Sequence, residues 1–384
     1  MTTTINNEHK KLNVPNLRFP EFQGEWEEHL LGNISDVTKL AGFEFTKYVT
    51  YEDNGNIIAI RGLNCKNGSL DLRDVKYIDN SDFSKLSRSK LYTGDILYTY
   101  VGTVGEVAVV DKNDKYYLAP NVSRIRLSKD YNSDFIKQLL GSKKFYNQIV
   151  FPLIATSSQP ALSMENLRKF KLKVPSIREQ TKIASLLNAI DERIATQNKI
   201  IDKLQSLIKG IAQNVARNNK PNIRLSECLE YSSSTLQESD VCENGTYPVY
   251  GANGIVGYID NYNTEKEAVY IIKDGSGVGT VSYVTGKCSA TGTLNTLQAK
   301  EGYSLQYLYY MLKVFNFEPY KTGMAIPHIY FKDYGKAKIF CPSYTEQLKY
   351  VELLSAIDNK LSAEQSILTD LSLQKQYLLS QMFI

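Results

Sequence analysis

This chain of 384 residues is poor in the side chains that build metal sites and disulfides. Its three histidines lie far apart, and its five cysteines form no C-x-x-C pair, which predicts free thiols in a reducing compartment. No apolar run approaches the ~18 residues that a membrane helix needs. The N-terminal MTTTINNEHKK has no apolar signal core. We therefore expect a soluble, cytoplasmic protein.

Strong net charge is also lacking, since the chain carries only +4 with a pI of about 8.5. Any nucleic-acid binding must therefore depend on local clusters of lysine and arginine. Apolar residues make up 42% and charged residues 22%, which argues against a disordered chain. The length fits two or three domains.

Catalytic signatures are missing as well. The chain has no N/D-P-P-Y tetrapeptide for positioning an adenine and no G-x-x-x-x-G-K-[ST] loop for ATP. The glycine-rich run 275–280 is not G-x-G-x-x-G, and it leads into the strand-like TVSYV, so we predict a β-turn there, with a close approach of the backbone to DNA as the alternative. A fused methyltransferase or nuclease is thus disfavoured, and only a purified chain that methylated DNA alone would revive it.

What the sequence does have is an internal repeat. VPSIREQTKIASLLNAIDERI (174–194) matches CPSYTEQLKYVELLSAIDNKL (341–361) at an offset of 167 residues, and L-L-x-A-I-D occurs in both. Ser176 with Glu179, and Ser343 with Glu346, fit capping boxes that follow a proline. Both copies are therefore predicted to start a helix at the same place.

The two helices continue with apolar residues at alternating steps of four and three, which predicts a coiled-coil seam. Gln197 and Glu364 interrupt the seam at equivalent places; either they fix register and partner, or they are merely tolerated. At about 1.5 Å per residue, such helices reach roughly 60 Å. The predicted seam residues are Ile183, Leu187, Ile190, Ile194 and Leu204 in the first helix, and Leu354, Ile357, Leu361, Leu368 and Leu371 in the second.

A β-rich globular region precedes each helix, with short strand-like runs broken by Gly, Asn and Asp. The helices match closely and the globular regions poorly, as expected for two variable readers on a duplicated scaffold. The predicted segments are a tail (1–14), a first domain (15–173), a central helix (174–217), a second domain (218–340) and a C-terminal helix (341–384).

The duplicated P-S-x-x-E-Q…L-L-x-A-I-D helix, the opening VPNLRFPEFQGEWEEHLLGNI (14–34) and YPVYGANGIVGY (247–258) resemble the DNA-specificity subunits of type I restriction–modification enzymes. The resemblance covers nearly the whole chain. It implies an α+β fold in which two target recognition domains alternate with two long helices. The helices would pair as an antiparallel coiled coil, giving a pseudo-two-fold repeat.

The same resemblance implies the partners. Double-stranded DNA would be read at a bipartite, asymmetric site, and two readers on a rigid arm would touch it about one helical turn (~34 Å) apart. Two modification subunits, which are adenine-N6 methyltransferases, and the restriction subunits would dock on the chain. S-adenosylmethionine and ATP with Mg²⁺ are expected on those partners and no cofactor in this chain; no membrane is involved.

Candidate DNA contacts are basic, amide and hydroxyl side chains in the globular regions, together with residues of the loop before each long helix, which the resemblance places at the DNA face. His328 is expected to be structural, with a DNA contact as the alternative. The first-domain candidates are Lys39, Lys47, Arg61, Asn64, Lys66, Thr156, Ser157, Ser158 and Gln159. The second-domain candidates are Tyr250, Asn253, Lys273, Lys321, Thr322 and Met324.

Two further functions stay open. A stand-alone DNA-binding regulator is one, although no helix-turn-helix is evident and the duplicated arms would then have no purpose. A coiled-coil scaffold without a DNA role is the other. Tight, steeply salt-dependent binding to duplex DNA would exclude the scaffold.

Overall fold

The computed structural model describes residues 13–155 and 159–384, and the chain forms two compact units. One unit comprises Met1–Thr196 with Thr369–Ile384, and the other comprises Gln197–Leu368. Within the described ranges, no helix is both long and apolar enough to cross a membrane.

The first unit begins with a mixed α+β domain. Its strands are β1 (Glu27–Leu30), β2 (Ser35–Lys39), β3 (Ile58–Ile60), β4 (Cys65–Lys66), β5 (Ser69–Leu70), β6 (Lys76–Tyr77), β7 (Ile96–Thr99), β8 (Val107–Val109), β9 (Tyr116–Leu118), β10 (Val122–Leu127) and β11 (Lys171–Val174). Its helices are α1 (Leu31–Ile34), α2 (Gly42–Tyr48), α3 (Ser133–Leu140), α4 (Lys143–Phe145) and α5 (Met164–Arg168). The long α6 (Ile177–Asn218) follows, and its residues after Thr196 belong to the second unit.

The second unit repeats this plan. Its strands are β12 (Ile223–Arg224), β13 (Leu229–Ser233), β14 (Tyr247–Gly251), β15 (Gly254–Ile259), β16 (Glu267–Ile272), β17 (Val281–Thr285), β18 (Ser289–Ala290), β19 (Leu294–Ala299) and β20 (Lys338–Ile339). Its helices are α7 (Leu225–Cys228), α8 (Leu305–Lys313) and α9 (Phe331–Tyr334), followed by the long α10 (Tyr344–Met382).

The two domains share their sheet topology despite their poor sequence match. The antiparallel four-stranded sheets run β2-β10-β7-β8 and β13-β19-β16-β17. The three-stranded sheets run β6-β3-β9 and β15-β14-β18, and each contains one parallel pair, β3 with β9 and β14 with β18. A short antiparallel pair, β1 with β11 and β12 with β20, then joins the start of each domain to its end. The α+β fold of two repeated domains with long helices is therefore as predicted.

The long helices bury their apolar stripes in the cores of the units. In the first unit, Leu187 lies in one core with Trp26, Phe135 and Phe383. In the second unit, Leu354 is fully buried in a core shared with α8. All ten predicted seam residues are buried or half-buried.

Within each unit, the two long helices run antiparallel. In the first unit, Trp26 donates to Glu179 near the start of α6 and packs against Phe383 after the end of α10. In the second unit, the side-chain amide of Asn222, just after α6, bonds both backbone groups of Cys341, just before α10.

A pair of polar side chains from each repeat holds the domain helix against the long helix, and we call this pair the clamp. In the first unit, Gln180 donates to the Pro175 carbonyl (2.9 Å) and accepts from the backbone N–H of Asn132, the N-cap of α3 (2.9 Å). Six residues further along α3, Gln138 donates to Asp191 (2.7 Å). The two clamp residues, Gln180 and Asp191, therefore hydrogen-bond to α3 at its N-cap and near its C-terminal end.

The second unit has the same clamp at positions 167 residues later. Gln347 donates to the Pro342 carbonyl (2.9 Å) and accepts from the N–H of Ser304, the N-cap of α8 (2.8 Å). Tyr310 donates its hydroxyl to Asp358 (2.7 Å). The glutamine and aspartate that the two sequence motifs share thus orient each domain on its long helix.

The predicted capping boxes are only half formed, which corrects the sequence-based expectation. Glu179 does not reach back to Ser176; its buried carboxylate accepts two bonds of 2.7 Å from Arg18 and one from Trp26. Ser176 accepts only a long bond from the Glu179 N–H (3.5 Å). A charged guanidinium forms a stronger hydrogen bond with a carboxylate than a backbone N–H does, so Glu179 binds Arg18 instead of the N-cap backbone.

The second cap keeps the other half of the box. The Glu346 carboxylate accepts from the Ser343 N–H (3.3 Å) and hydroxyl (2.8 Å), so the serine oxygen acts as a donor there. The helix starts were predicted correctly, but the side-chain geometry that produces them differs between the repeats.

Candidate nucleic-acid interface

A tight hairpin, Thr322–His328, projects from the second unit just before α9. Thr322 and His328 exchange two backbone bonds of 2.8 Å. Gly323 has a φ of +89°, and a Cβ there would lie 2.3 Å from the Ile326 carbonyl oxygen, so only glycine fits. At the tip, Met324 is fully exposed and Ile326 is 59% exposed.

The hairpin is fastened to the glycine-rich loop between β16 and β17. The Gly275 N–H donates to the Pro327 carbonyl (3.0 Å), and the Ile329 N–H donates to the Lys273 carbonyl (3.0 Å). The loop itself turns through bonds of Val278 to Gly275 (3.2 Å) and enters β17, which confirms the predicted turn-to-strand passage.

Cations and aromatic rings surround the base of this hairpin. Lys332 lies over the ring of Tyr330 (5.1 Å to the centroid), and Tyr330 is half exposed. Lys273 donates to the hydroxyl of Ser233 (3.0 Å) on β13. The neighbouring Tyr231 is half exposed and stacks on a phenylalanine of α9. Basic residues interleaved with aromatic rings are typical of nucleic-acid surfaces.

The structure thus brings four of the second-domain candidates together, namely Lys273, Lys321, Thr322 and Met324. Lys321 is partly neutralised by Glu318, whose carboxylate lies 2.6 Å away. The His328 ring is 3.9 Å from Asp274, with 32% of its side chain exposed.

The other two second-domain candidates belong to the three-stranded sheet. Tyr250 packs against Tyr270 with ring centroids 5.7 Å apart, and burial raises the pKa of the Tyr250 hydroxyl. Asn253 is exposed in the turn between β14 and β15. Both remain predictions as DNA contacts.

The first unit has the same backbone arrangement. Ala155 and Ala161 close a hairpin through a 3.0 Å bond, and the Gly102 N–H donates to the Pro160 carbonyl (2.9 Å), as Gly275 does to Pro327. The candidates Thr156, Ser157 and Ser158 lie outside the described residues.

Beside this first hairpin is a shallow cavity of about 360 Å³. Gln159 lines it together with Arg61, so two predicted contacts share one surface. Asn121, in the left-handed conformation at φ +71°, and Tyr51 also line it, and charge-based reasoning missed both.

Asn64 is a structural residue in this conformation. Its side chain is fully buried, donates to the carbonyls of Asp71 (2.9 Å) and Asp74 (2.7 Å), and accepts from the Arg61 N–H (3.0 Å). Its polar atoms are thus used within the loop, and we leave Asn64 out of the proposed interface. Arg61 is itself held by Asp74 at 2.7 Å.

The remaining first-domain lysines are on the surface. Lys39, at the end of β2, lies 5.3 Å from the ring centroid of Tyr100, and Lys47 lies 5.4 Å from the ring centroid of Tyr48. Lys66 is exposed on β4. Such positions suit phosphate contact, and their roles remain predictions.

Comparison with known proteins points to one family. A family model described as the type I restriction modification DNA specificity domain matches residues 23–206 and 219–372. A putative type I specificity subunit from Mycoplasma genitalium is 24% identical over 310 residues, covering 73% of this chain and 79% of that protein. A putative type I restriction enzyme specificity subunit from Methanocaldococcus jannaschii is 22% identical over 219 residues, and this chain spans about half (48%) of its length.

A solved structure has a similar fold. The crystal structure of the type I restriction–modification S subunit from M. genitalium superimposes with a TM-score of 0.66 at 18% identity. The superposition covers 97% of this chain and 99% of that one. At this identity, the likeness speaks for the fold alone.

Proposed function

We propose, from the premise that this chain belongs to the type I restriction–modification DNA specificity family, that it is the DNA-specificity subunit of such a system. It reads a bipartite, asymmetric site in double-stranded DNA and positions adenine-N6 modification subunits and restriction subunits there. It carries no catalytic centre. The observation behind this proposal is the recurrence, in both units, of a pre-helix hairpin bonded to a glycine loop.

The two hairpins support unlike half-sites. The tip in the second unit is apolar, with Met324 and Ile326, whereas the sequence between Ala155 and Ala161 begins with the polar T-S-S-Q (156–159). Apolar and polar tips make different contacts in a DNA groove. Each unit would therefore read its own bases, and the DNA between the readers would remain unread.

Two grooves beside the clamps are the proposed docking places of the modification subunits. In the first unit, a groove of about 650 Å³ is lined by Gln138, Asp191 and Lys375. In the second, a groove of about 690 Å³ is lined by Tyr310 and Asp358. Because the clamp repeats, one kind of partner can dock twice. Restriction subunits would join this assembly on host DNA, in the cytoplasm.

The decisive experiment maps N6-methyladenine across host DNA with the gene intact and deleted. The proposal expects a split, asymmetric motif that loses methylation on deletion and regains it on complementation. If the reconstituted chain and modification subunits methylate no split motif, the proposal is wrong. If the chain binds such a motif without any modification subunit being required in the cell, it is a stand-alone DNA-binding protein.

Docking can be tested groove by groove. Ser380→Trp blocks the first groove and Ser362→Trp the second, because each serine lines its groove. Native mass spectrometry should find two modification subunits on the wild type and one on either variant. Ser366→Trp, on an exposed face of α10, is the matched control. Two subunits on both groove variants would contradict the docking places while leaving DNA specificity untouched.

The helical arm is tested by placing charge in both cores. Leu187→Asp and Leu354→Asp each put a carboxylate into a site that is 0% exposed, where an unpaired charge is strongly disfavoured. We expect the double variant to lose bipartite recognition. A double variant that still directs methylation to the same split motif would refute the proposal that the paired long helices hold the two DNA-reading domains apart.

A further inference from the structure

We propose that the Thr322–His328 hairpin is an apolar wedge that enters the duplex between stacked bases of the second half-site. The wedge deepens the proposed function and rests on it. Its tip residues are Met324, which is fully exposed, and Ile326, which is 59% exposed. Among the described residues, Met324 is the most exposed large apolar side chain.

A wedge must be rigid, since a flexible loop would fold away instead of separating bases. Thr322 and His328 exchange two backbone bonds, and the Thr322 hydroxyl adds a third contact to the His328 carbonyl (3.3 Å). The Pro327 carbonyl is held by Gly275. The closeness of Gly323 to the Ile326 carbonyl leaves no room for a side chain, which makes the turn compact. The tip is therefore presented on a braced support.

The surroundings of the tip favour DNA as the occupant. Lys273 contacts a serine hydroxyl and Lys332 a tyrosine ring, and neither contact neutralises a positive charge. Of the acids beside the hairpin, Glu318 pairs with Lys321, and the Asp274 carboxylate lies 3.9 Å from the ring of His328. An apolar tip beside lysines that contact a hydroxyl and an aromatic ring matches a base step flanked by phosphates. Proteins that kink DNA insert Met, Ile, Leu or Phe in this way.

The first hairpin supplies an internal contrast. The residues 167 positions before Met324 and Ile326 are Ser157 and Gln159, which are polar. A wedge is therefore expected in one reader only. Distortion of the duplex would be confined to the second half-site, and the ease of unstacking its sequence would contribute to specificity without a base-edge contact.

The test uses the complex of this chain with its modification subunits, bound to its methylated motif. 2-Aminopurine, whose fluorescence rises when it is unstacked, is placed at each position of the second half-site except the methylated adenine. That base is excluded because methyltransferases flip their target out of the stack. We expect a rise at one step with the wild type, and none in the first half-site away from its target base.

Met324→Ser with Ile326→Ser should abolish that rise and weaken specific binding roughly tenfold to a hundredfold, because the unstacked step loses its apolar filling. Met324→Leu should retain both properties, since leucine is equally apolar. Leu353→Ser, at a 51% exposed apolar residue on α10, is the matched surface control and should leave both unchanged.

The outcomes separate the wedge from the proposed function. If the double-serine variant methylates the same motif with unchanged affinity and an unchanged fluorescence pattern, the wedge is wrong and the specificity subunit stands. If the variant instead loses its modification subunits while keeping DNA contact, the tip is a protein-docking element and the wedge is again wrong. If the wild-type complex recognises no split motif, the proposed function itself fails.

Discussion

Replacing Gln180 by alanine should lower the stability of the first unit by about 2–4 kcal/mol. Gln180 is 1% exposed and makes two bonds of 2.9 Å, one to the Pro175 carbonyl and one from the Asn132 N–H. Each buried polar group that loses its partner costs about 1–3 kcal/mol. Both partners are half-buried, so hydrogen bonds to water recover part of that free energy. We therefore expect the lower half of the combined range of about 2–6 kcal/mol for the two groups.

The single tryptophan makes this measurable. Trp26 is 2% exposed and packs edge-on against Phe135 (5.8 Å), a residue of α3, whose start Gln180 holds. Urea unfolding followed by Trp26 fluorescence should show a lower midpoint with an unchanged slope. Gln205→Ala, at an exposed position of the same long helix, should change stability by less than about 0.5 kcal/mol.

The repeat provides a second copy of the same experiment. Gln347→Ala removes equivalent bonds to Pro342 and Ser304. The free energy of opening that hydrogen exchange measures for α8 should then fall by about as much as that for α3 falls in the Gln180 variant. A Gln180→Ala midpoint no lower than that of the Gln205 control would refute the reasoning, because it would mean that the clamp contributes no stability.

Two smaller predictions concern thiols and acid. At pH 8, alkylation of the folded chain should modify Cys242, which is exposed, and spare Cys65 and Cys228, because burial raises the pKa of both thiols to about 12; mass spectrometry of the peptides reads this directly. The hydrogen bonds from Lys360 and Gln197 hold the pKa of the Glu364 carboxyl below its ordinary value of 4.5. These bonds therefore stabilise the folded chain fully above pH 4.5, and that stabilisation is lost as the pH falls through the pKa of Glu364 in the folded state. Acid titration of unfolding should therefore be shallower below pH 4.5 in Glu364→Gln than in the wild type.

The long helices could be predicted closely because several local signals agree there. Proline, a serine cap and heptad spacing led us to expect helices at 174–217 and 341–384, and the structure has Ile177–Asn218 and Tyr344–Met382. Agreement among independent signals is what makes such elements predictable. The partners of Glu179 could not be foreseen, because Arg18 is distant in sequence and is brought near by the fold.

The globular domains were harder for a physical reason. Strands such as β3 and β9 have three residues each, too few to show an alternating pattern. Helix α3 ends at Leu140, before Gly141, and the chain continues as short separate helical turns that carry no helix-length apolar pattern. The shared topology of the two domains therefore emerges only from strand pairing over long sequence distances.

The candidate site was partly predictable. Residue type selected Lys273, and the position of the loop before the long helix selected Met324; the two do meet at one hairpin. Neither criterion could show that Asn64 is buried with its polar atoms in use. Tyr330 and Tyr231 were overlooked because tyrosine is common along the whole chain. Exposure separates such surface rings from the many tyrosines that are buried.

The polar interruption of the helical seam allows a final prediction that decides between its two readings. Gln197 and Glu364, which occupy equivalent repeat positions, contact each other: the amide of Gln197 donates to the carbonyl of Glu364 (2.9 Å) and to its carboxylate. Both residues are buried. Replacing such a pair with apolar residues often stabilises a protein, while a polar residue in a seam fixes register.

Gln197→Leu with Glu364→Leu should therefore raise the thermal midpoint, whereas Gln197→Leu alone should lower it, because Glu364 keeps a buried carboxylate with one partner fewer. If the pair fixes register, the double-leucine chain should be more stable yet methylate its split motif less selectively, including sites with altered spacers. A double variant that is stabilised and keeps one spacer length would show that the pair is merely tolerated, since register would then be held by the clamps on α3 and α8. Sequencing of methylated sites, measured beside the thermal midpoint, distinguishes these two outcomes.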